Sequence, residues 1–493
     1  MRTVIEALGE RAARHPERLA LIVGDQRVSF GELWARVNAA ACYISDCGVR
    51  PGHRVALAAP SSPVFVYGYF ATHLVGAIAV PVNPNAPASR LNDLLRRTQP
   101  VLAFGMTDKI PAETPCPWKS IDLLATLPSS QCSFDAPDTE SVADLIFTTG
   151  TTGQPKAVPL THRNLATAAT HIKAVIGVAE GDVDVIPIPL YHSFGLGSLR
   201  CFLATGATVV LVPGVRLPGE IFAAIERNSA TGLIGVPAGF SILLRFGKHG
   251  LGKYSDRLRY IEIGSASIPI EQKRMLMTLL PRTSLFMHYG LTEAARSAFI
   301  EFHRDSSHLE SVGRASPGVR VEIRDESGQP SSPGEPGALW VSGRHISPGY
   351  WDNPELNAKT FVDGWMCTGD VAHIDKNGYI HLHGRHDDMI NAGGFKIAPD
   401  EVERVLAEHP AVSEAACVGV PDPKGISGQV LRAYLVVAEG QIQQPDAELS
   451  RWVARRLESY KVPVQYEWIP VLPRTESGKL VRTALRKPAP PKQ

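Results

Sequence analysis

Lys156 closes a run of hydroxyls and glycines, Thr148-Thr149-Gly150-Thr151-Thr152-Gly153-Gln154-Pro155-Lys156, that follows the apolar stretch Leu145-Ile146-Phe147. A loop of this kind can fold its backbone N–H groups and threonine hydroxyls around phosphate oxygens, with the lysine as a mobile positive charge. Its spacing is not Gly-four-residues-Gly-Lys-Ser/Thr, and alone such a loop is more often ordinary surface. Other stretches carry groups that could do chemistry: His192 in Tyr-His-Ser-Phe-Gly, Gly264-Ser265-Ala266, Tyr289-Gly290-Leu291-Thr292-Glu293, Thr368-Gly369-Asp370, Arg385, Gly393-Gly394-Phe395-Lys396, and Lys479. Each has a plain structural reading. Thr292-Glu293 reads as a helix start with the carboxylate favoured by the dipole, His192 as a structural histidine, and Lys479 as a solvated lysine in a turn.

The elements that must position these groups alternate. Val4–Arg14 has helical periodicity, and Leu19–Val23 with Arg27–Phe30 around Gly24-Asp25-Gln26 predicts a hairpin. Ser29 followed by Glu32 is a capping-box spacing, opening a helix that should stop near Gly48. Strands at 54–59 and 77–82 alternate with helices at 64–75 and 88–97. Residues 106–140, rich in Pro, Ser and Thr, read as a loop. A helix at 164–176, strands at 185–189, 208–212, 232–236 and 260–263, and a helix at 219–227 continue the α/β alternation. From about Val312 to residue 384 short β runs lie between Gly- and Pro-rich turns, predicting a small β-rich subdomain. Beyond it, helices at 399–409 and 446–457 with strands at 414–420, 430–437 and 465–469 form an α+β module of about a hundred residues.

At 493 residues the chain is too long for one core. Fifty basic against 49 acidic residues leave no electrostatic case for a nucleic-acid partner. The most apolar stretch, 55–82, is broken by Pro60, Pro63 and Pro81, so no membrane span is expected. The start, Met1-Arg2-Thr3-Val4-Ile5-Glu6, lacks a secretory layout, which makes the cytoplasm the expected location. Seven cysteines without CxxC or Cys/His ligand spacing argue against a disulfide framework and a zinc site, so Cys42, Cys47, Cys201 and the others are expected as thiols.

In order and spacing, the loop 148–156, Tyr289–Glu293, Thr368–Asp370, Gly384-Arg385-His386-Asp387-Asp388, Gly393–Ile397, Tyr460-Lys461-Val462-Pro463 and Pro473–Lys479 together resemble the signature blocks of adenylate-forming enzymes: acyl-CoA synthetases, peptide-synthetase adenylation domains and luciferases. The likeness spans nearly the whole chain. It implies a large N-terminal domain, 1–386, of layered α/β sheets with the β-rich subdomain, and a small mobile α+β C-terminal domain, 387–493. It further implies that a carboxylic acid attacks the α-phosphate of ATP, with pyrophosphate leaving and Mg²⁺ present. On that likeness Thr148, Thr149, Gly150, Thr151, Thr152, Gly153 and Lys156 hold phosphates, and Thr292 and Glu293 form the Mg²⁺ site. Tyr289 stacks on adenine beside Gly290, Asp370 and Arg385 bind the ribose, and Lys479 bridges carboxylate, ribose and α-phosphate.

The same resemblance places a hinge at Asp387 and a thiol-tunnel loop at Gly393, Gly394 and Lys396, with His192 as an aromatic gate. The chain ends shortly after Lys479, so the thiol is expected in trans, as CoA or a free acyl carrier protein; a nitrogen nucleophile or an inactive nucleotide-binding relative are the other readings. Ser193, where amino-acid-activating relatives place Asp, speaks against an α-amino acid. His288 in place of Arg weakens a dicarboxylate reading. Val236, Phe240, Gly264, Ser265 and Ala266 are expected around the acyl group, with His192, and suggest a medium-chain or aromatic acid. Arg296, one turn past Glu293, is read as a helix-surface charge in preference to an unusual anion contact.

Overall fold

The computed structural model of the protein describes residues 2–106, 114–148, 156–214, 217–385, 388–392, 395–421, 429–457, 459–475 and 478–486. The chain divides into two compact units, Met1–Arg320 with Val341–Met366, and Val321–Trp340 with Cys367–Gln493. They part within the expected β-rich stretch, and the expected junction at Asp387 lies outside the described residues.

The larger unit holds two sheets. In the first, six strands run in the order Trp118–Ser120, Leu102–Gly105, Arg54–Ala58, Ile78–Pro81, Val142–Thr148, Lys156–Thr161. All neighbours are parallel except the final hairpin, where Thr148 faces Lys156 across the expected phosphate loop. The second runs Arg314–Ala315, Ala298–Glu301, Ser284–Tyr289, Tyr260–Ile263, Gly232–Gly235, Val183–Ile186, Thr208–Leu211, Leu19–Val23, Gln26–Ser29. Its middle, from Ser284–Tyr289 to Leu19–Val23, is parallel.

Helices Val4–Arg14, Phe30–Asp46, Pro63–Leu74, His162–Ile176 and Ser193–Thr205 share one core with both sheets. Leu21, Ile186 and Val209 come from one sheet, and Val55, Leu57 and Ile146 from the other. Three of these helices start on reciprocal caps, Thr3 with Glu6, Ser29 with Glu32 as the spacing predicts, and Thr161 with Asn164. Each cap satisfies N–H groups that the first turn leaves without a helical partner.

Charge is also sealed into this core. Asp144, fully buried on the strand leading to the phosphate loop, accepts from Arg200 at 2.5 Å and Tyr69 at 3.0 Å, and lies 2.8 Å from His73 Nε2. Burial alone would raise its pKa, yet His73, Arg200 and Tyr69 together hold it below the ordinary carboxylate value. Arg200 belongs to the helix that begins beside His192, so this network ties the strand before the phosphate loop to that helix.

The smaller unit carries a three-stranded sheet in the order Val412–Pro421, Gln429–Val437, Gln465–Trp468. Helices Pro399–Ala407 and Asp446–Ala454 pack on it around Val402, Leu406, Leu431, Leu449 and Val453. The β-rich stretch folds as the strands Arg320–Arg324, Gly337–Ser342, Phe361–Val362, Trp365–Ile374 and Ile380–Arg385, of which Phe361–Val362 belongs to the larger unit.

Several elements differ from the sequence reading. Residues 106–140 include the strand Trp118–Ser120 and the short helix Leu123–Thr126; this edge strand is specified by its neighbour, not by a pattern of its own. Helix Ser193–Thr205 is buried on nearly every face, so no amphipathic stripe announces it. Cys42 and Cys132, ninety residues apart, are joined in a disulfide with Cα atoms 5.7 Å apart, correcting the thiol expectation for Cys42. Chain spacing carries no information on that approach. Among the described residues no helix is long and apolar enough to cross a membrane.

Candidate active site

Four neighbouring parallel strands of the larger unit end next to expected site residues. After Val183–Ile186 the chain reaches His192; Gly232–Gly235 runs into Val236, Tyr260–Ile263 into Gly264, and Ser284–Tyr289 ends on Tyr289 itself. The carboxyl ends of parallel strands are where open α/β sheets take their ligands. His192 caps helix Ser193–Thr205, and Val236 caps the helix Pro237–Leu244 that carries Phe240. The Phe240 ring lies where a side chain on Gly235 would stand, and Gly264 donates its N–H to the Gly235 carbonyl at 3.2 Å. Ser265 holds φ at +77° and is half-buried, while Ala266 is exposed.

Thr292 and Glu293 sit in a tight turn, not at a helix start. Leu291 and Ala294 exchange backbone hydrogen bonds around them, and Ser347 donates its N–H to the Glu293 carbonyl at 2.8 Å. Gly290 is required there by proximity, because a Cβ would stand 2.6 Å from the Arg296 nitrogen. The Glu293 carboxylate, on a residue only 8% exposed, accepts from the Tyr350 hydroxyl at 2.9 Å. Lys156 Nζ lies 5.1 Å from the centre of the same Tyr350 ring. Tyr350 therefore joins the expected cation site to the lysine of the phosphate loop. Thr292 Oγ1 is 3.1 Å from Ser193 Oγ, the first residue after His192. Neither Tyr350 nor Ser193 has a local sequence signal for these contacts; each arrives from a distant segment.

Glu293 offers one carboxylate, with Oε2 as its second oxygen, beside a threonine hydroxyl. Such a donor set suits Mg²⁺, which keeps several waters and completes its shell with phosphate oxygens. Among the described residues no group of three or more His, Cys, Asp or Glu is placed to hold a metal by protein ligands alone.

Arg296 corrects the sequence reading most sharply. It is on no helix, holds φ at +56°, and is 2% exposed. Its guanidinium donates to Glu262 at 3.2 Å, to Ser198 at 3.0 Å and to the Phe194 carbonyl at 3.3 Å, and lies over the Phe194 ring. His288 Nδ1 approaches Glu262 to 2.7 Å. Burial works against ionisation of Glu262, but Arg296 and His288 outweigh it and hold its pKa at about 2.

In the smaller unit, Asp370 and Arg385 face each other across adjacent strands, with an ion pair at 3.4 Å. Thr368 Oγ1 accepts from the Asp370 N–H, and Gly369 at φ +76° leaves room for the Arg385 guanidinium. Lys479 is exposed and closes a turn in which Thr475 and Lys479 exchange hydrogen bonds, with Gly478 at φ +82°. Lys396 lies on strand Phe395–Ile397, opposite Asn391. Thr149, Gly150, Thr151, Thr152, Gly153, Asp387, Gly393 and Gly394 fall outside the described residues. Asp388, next to the expected hinge, pairs with Arg486 at 2.9 Å and Arg482 at 3.5 Å.

A carboxylate beyond the end of a parallel strand, joined through a tyrosine to the lysine of the hairpin loop, with a second lysine in the smaller unit, agrees with the likeness to known proteins. Residues 8–351 match the model of the AMP-binding enzyme family, and residues 401–479 that of the AMP-binding enzyme C-terminal domain. A feruloyl-CoA synthase from Amycolatopsis sp is 34% identical, with 97% of each chain covered. Among solved structures, o-succinylbenzoate CoA synthetase from Bacillus subtilis in complex with its acyl-adenylate intermediate superposes with a TM-score of 0.89 at 28% identity, and ATP-bound MatB from Rhodopseudomonas palustris with 0.91 at 26% identity; each alignment covers 98% of both chains. Matched at both ends by the family's two models and along almost its whole length by such a relative, the chain belongs to the AMP-binding enzyme family.

Proposed function

We propose that the protein is an ATP-dependent acid–thiol ligase that converts an aromatic carboxylic acid to its CoA thioester. The observation that carries this reading is the joining of Glu293 and Lys156 through Tyr350, beside the strand ends that bear His192, Val236, Gly264 and Tyr289. In the first half-reaction a carboxylate oxygen of the acid bonds to the α-phosphorus of ATP, and the bond to the β-phosphate oxygen breaks to release pyrophosphate. Charge grows on the leaving phosphates, so fixed positive groups and donors around them are the main catalytic resource. Thr148 and Lys156 receive those phosphates with residues 149–153; Tyr350 orients the Glu293 carboxylate and keeps Lys156 close to it. Glu293 and Thr292 would hold Mg²⁺, which when bound would supply positive charge to shield the phosphates. Tyr289 offers its ring to the adenine, Asp370 and Arg385 contact the ribose, and Lys479 bridges the reacting carboxylate and the α-phosphate.

In the second half-reaction the CoA thiolate attacks the acyl carbon, and AMP leaves with the anhydride oxygen. The thiol proton passes to solvent. The mixed anhydride is already activated, so no serine or cysteine nucleophile is needed. Rotation at Asp387, with Gly393, Gly394 and Lys396 lining the thiol path and His192 gating it, completes the reading.

Support for an aromatic acid comes from the feruloyl-CoA synthase likeness and from the Phe240 and His288 rings that pack against Gly235 and Gly264 at two of the strand ends. The test is pyrophosphate release with aromatic, fatty and small carboxylic acids, with and without CoA, and products identified by mass. Release with aromatic acids that rises with CoA and yields an acyl-CoA is expected. Release indifferent to CoA, with acyl-AMP retained, would transfer the assignment to a carrier-protein or amine acceptor.

A further inference from the structure

Lys479 stands on a turn that closes on itself. Val481 donates its N–H to the Pro473 carbonyl at 2.8 Å, Thr475 donates to the Lys479 carbonyl at 2.8 Å, and Arg474 bridges to Leu480. These bonds shape the turn without orienting it on the rest of the smaller unit. Leu472, Leu480 and Leu485 pack with Ala416, Val418 and Tyr434, and apolar contact has no direction of its own. Arg474 pairs with Glu414, but both side chains are open to solvent, where such a pair contributes little.

Arg482 supplies the direction. It opens the short helix Arg482–Leu485, three residues past Lys479. Its guanidinium donates to both oxygens of Glu403, to Asp400 and, at 3.1 Å, to the Cys417 carbonyl, and it lies 3.5 Å from Asp388. Asp400 and Glu403 belong to helix Pro399–Ala407, and Cys417 to strand Val412–Pro421. Asp388, next to the expected hinge, is held on its other oxygen by Arg486 at 2.9 Å. A guanidinium presents five donors in a rigid planar fork, so serving acceptors on several segments at once fixes their mutual orientation. The Arg482 side chain is only 12% exposed, and its contacts are little screened.

We propose that Arg482 is a positioning residue for the adenylation step. By joining Asp388 at the hinge end to helix Pro399–Ala407 and to the segment that bears Lys479, it makes them one lever, so that rotation at the hinge sets where the Lys479 ammonium stands. A catalytic group has to be held to within about half an ångström, and a hinge achieves that at a distance only through a rigid body. The proposal rests on the reading of Asp387 as the hinge and Lys479 as the adenylation lysine.

The experiment measures the half-reactions separately in the full chain: single-turnover pyrophosphate release without CoA, and thioester formation from synthetic acyl-AMP. Arg482→Gln should slow adenylation about tenfold or more at saturating ATP and acid, with half-saturating concentrations little changed and the thioester step near the wild-type rate. That step needs residues 393–396 of the same unit, so its retention shows the unit folded. Arg482→Lys, which keeps the charge and loses the fork, should restore part of the rate. In a Lys479→Ala background Arg482→Gln should have little further effect, since an absent lysine cannot be misplaced; a merely structural residue would slow that background too. Full additivity there, an unchanged adenylation rate in Arg482→Gln, or parallel loss of both half-reactions in Arg482→Gln and Arg482→Lys would overturn the proposal and leave the role of Lys479 standing. Adenylation at the wild-type rate in Lys479→Ala would overturn both.

Discussion

The two units hold their candidate groups in opposite ways. In the larger one, Glu293 is gripped at its carboxylate by Tyr350 and at its backbone by Ser347, and the turn around it is closed by Leu291 and Ala294. In the smaller one, Lys479 is exposed on a single turn closed by Thr475. A group that must meet phosphates in one geometry gains from being fixed beforehand, since no reorganisation is then needed as charge develops. A lysine that serves one half-reaction and withdraws for the next gains from standing on a small, separately folded element. On the proposed reading, the contrast separates a preformed site from a delivered group.

Replacing the delivered group should separate the half-reactions most strongly. Lys479→Ala is expected to slow acyl-adenylate formation roughly a hundredfold to a thousandfold, while thioester formation from a synthetic acyl-AMP stays near the wild-type rate. Comparable losses in both steps would remove the division of labour.

Acid should act with opposite sign on buried groups of the two units. His162 and His345, buried in the larger unit, are pushed down to about 3, chiefly by burial. Their folded-state values lie below the unfolded one, so they favour folding above about pH 6.5, and that contribution is lost as pH falls towards 3. Glu403 of the smaller unit is pushed up to about 7, mainly by burial. Its contribution is full below its unfolded value near 4.5 and is lost as pH rises through 7. Between pH 7 and pH 4 each of these two histidines should withdraw about 3 kcal/mol from the larger unit, about 6 kcal/mol together, while Glu403 contributes in the opposite direction to the smaller one. Hydrogen exchange followed by region would show the crossing, and a parallel loss in both units would refute it.

Tyr350→Phe tests the preformed grip by removing only a hydroxyl. About a tenfold fall in pyrophosphate release is expected, with more Mg²⁺ needed for half-maximal rate. Titration of Mg²⁺ at saturating ATP checks this, and an unchanged Mg²⁺ requirement would take the tyrosine out of the site. The smallest effect concerns backbone strain. Ser265 at φ +77° should gain roughly 0.5–1 kcal/mol of stability as Ser265→Gly, read as a rise in Tm, with a less selective pocket as the cost.

Local pattern made much of this molecule legible. Ser29 and Glu32 mark a helix start at the expected place, and the apolar runs at 54–59, 77–82, 208–212 and 260–263 contain the strands found there. Helix Ser193–Thr205 escaped because its burial on nearly all faces erases the periodicity that identifies surface helices. Arg296 was misread for a related reason. One turn past Glu293 implies a helix face only if a helix is present, and the chain instead folds back so that Gly290 abuts the Arg296 backbone.

The sequence by itself determined the family, through the order of its signature blocks, and the alternation of strands and helices, because both reside in residue type and short spacing. Tertiary structure alone decided that Tyr350 links Glu293 to Lys156, that Cys42 meets Cys132, and that Arg296 is sealed against Glu262 behind His288. Each joins segments far apart along the chain. Such proximity is set by how the sheets and helices pack, and local spacing does not encode it.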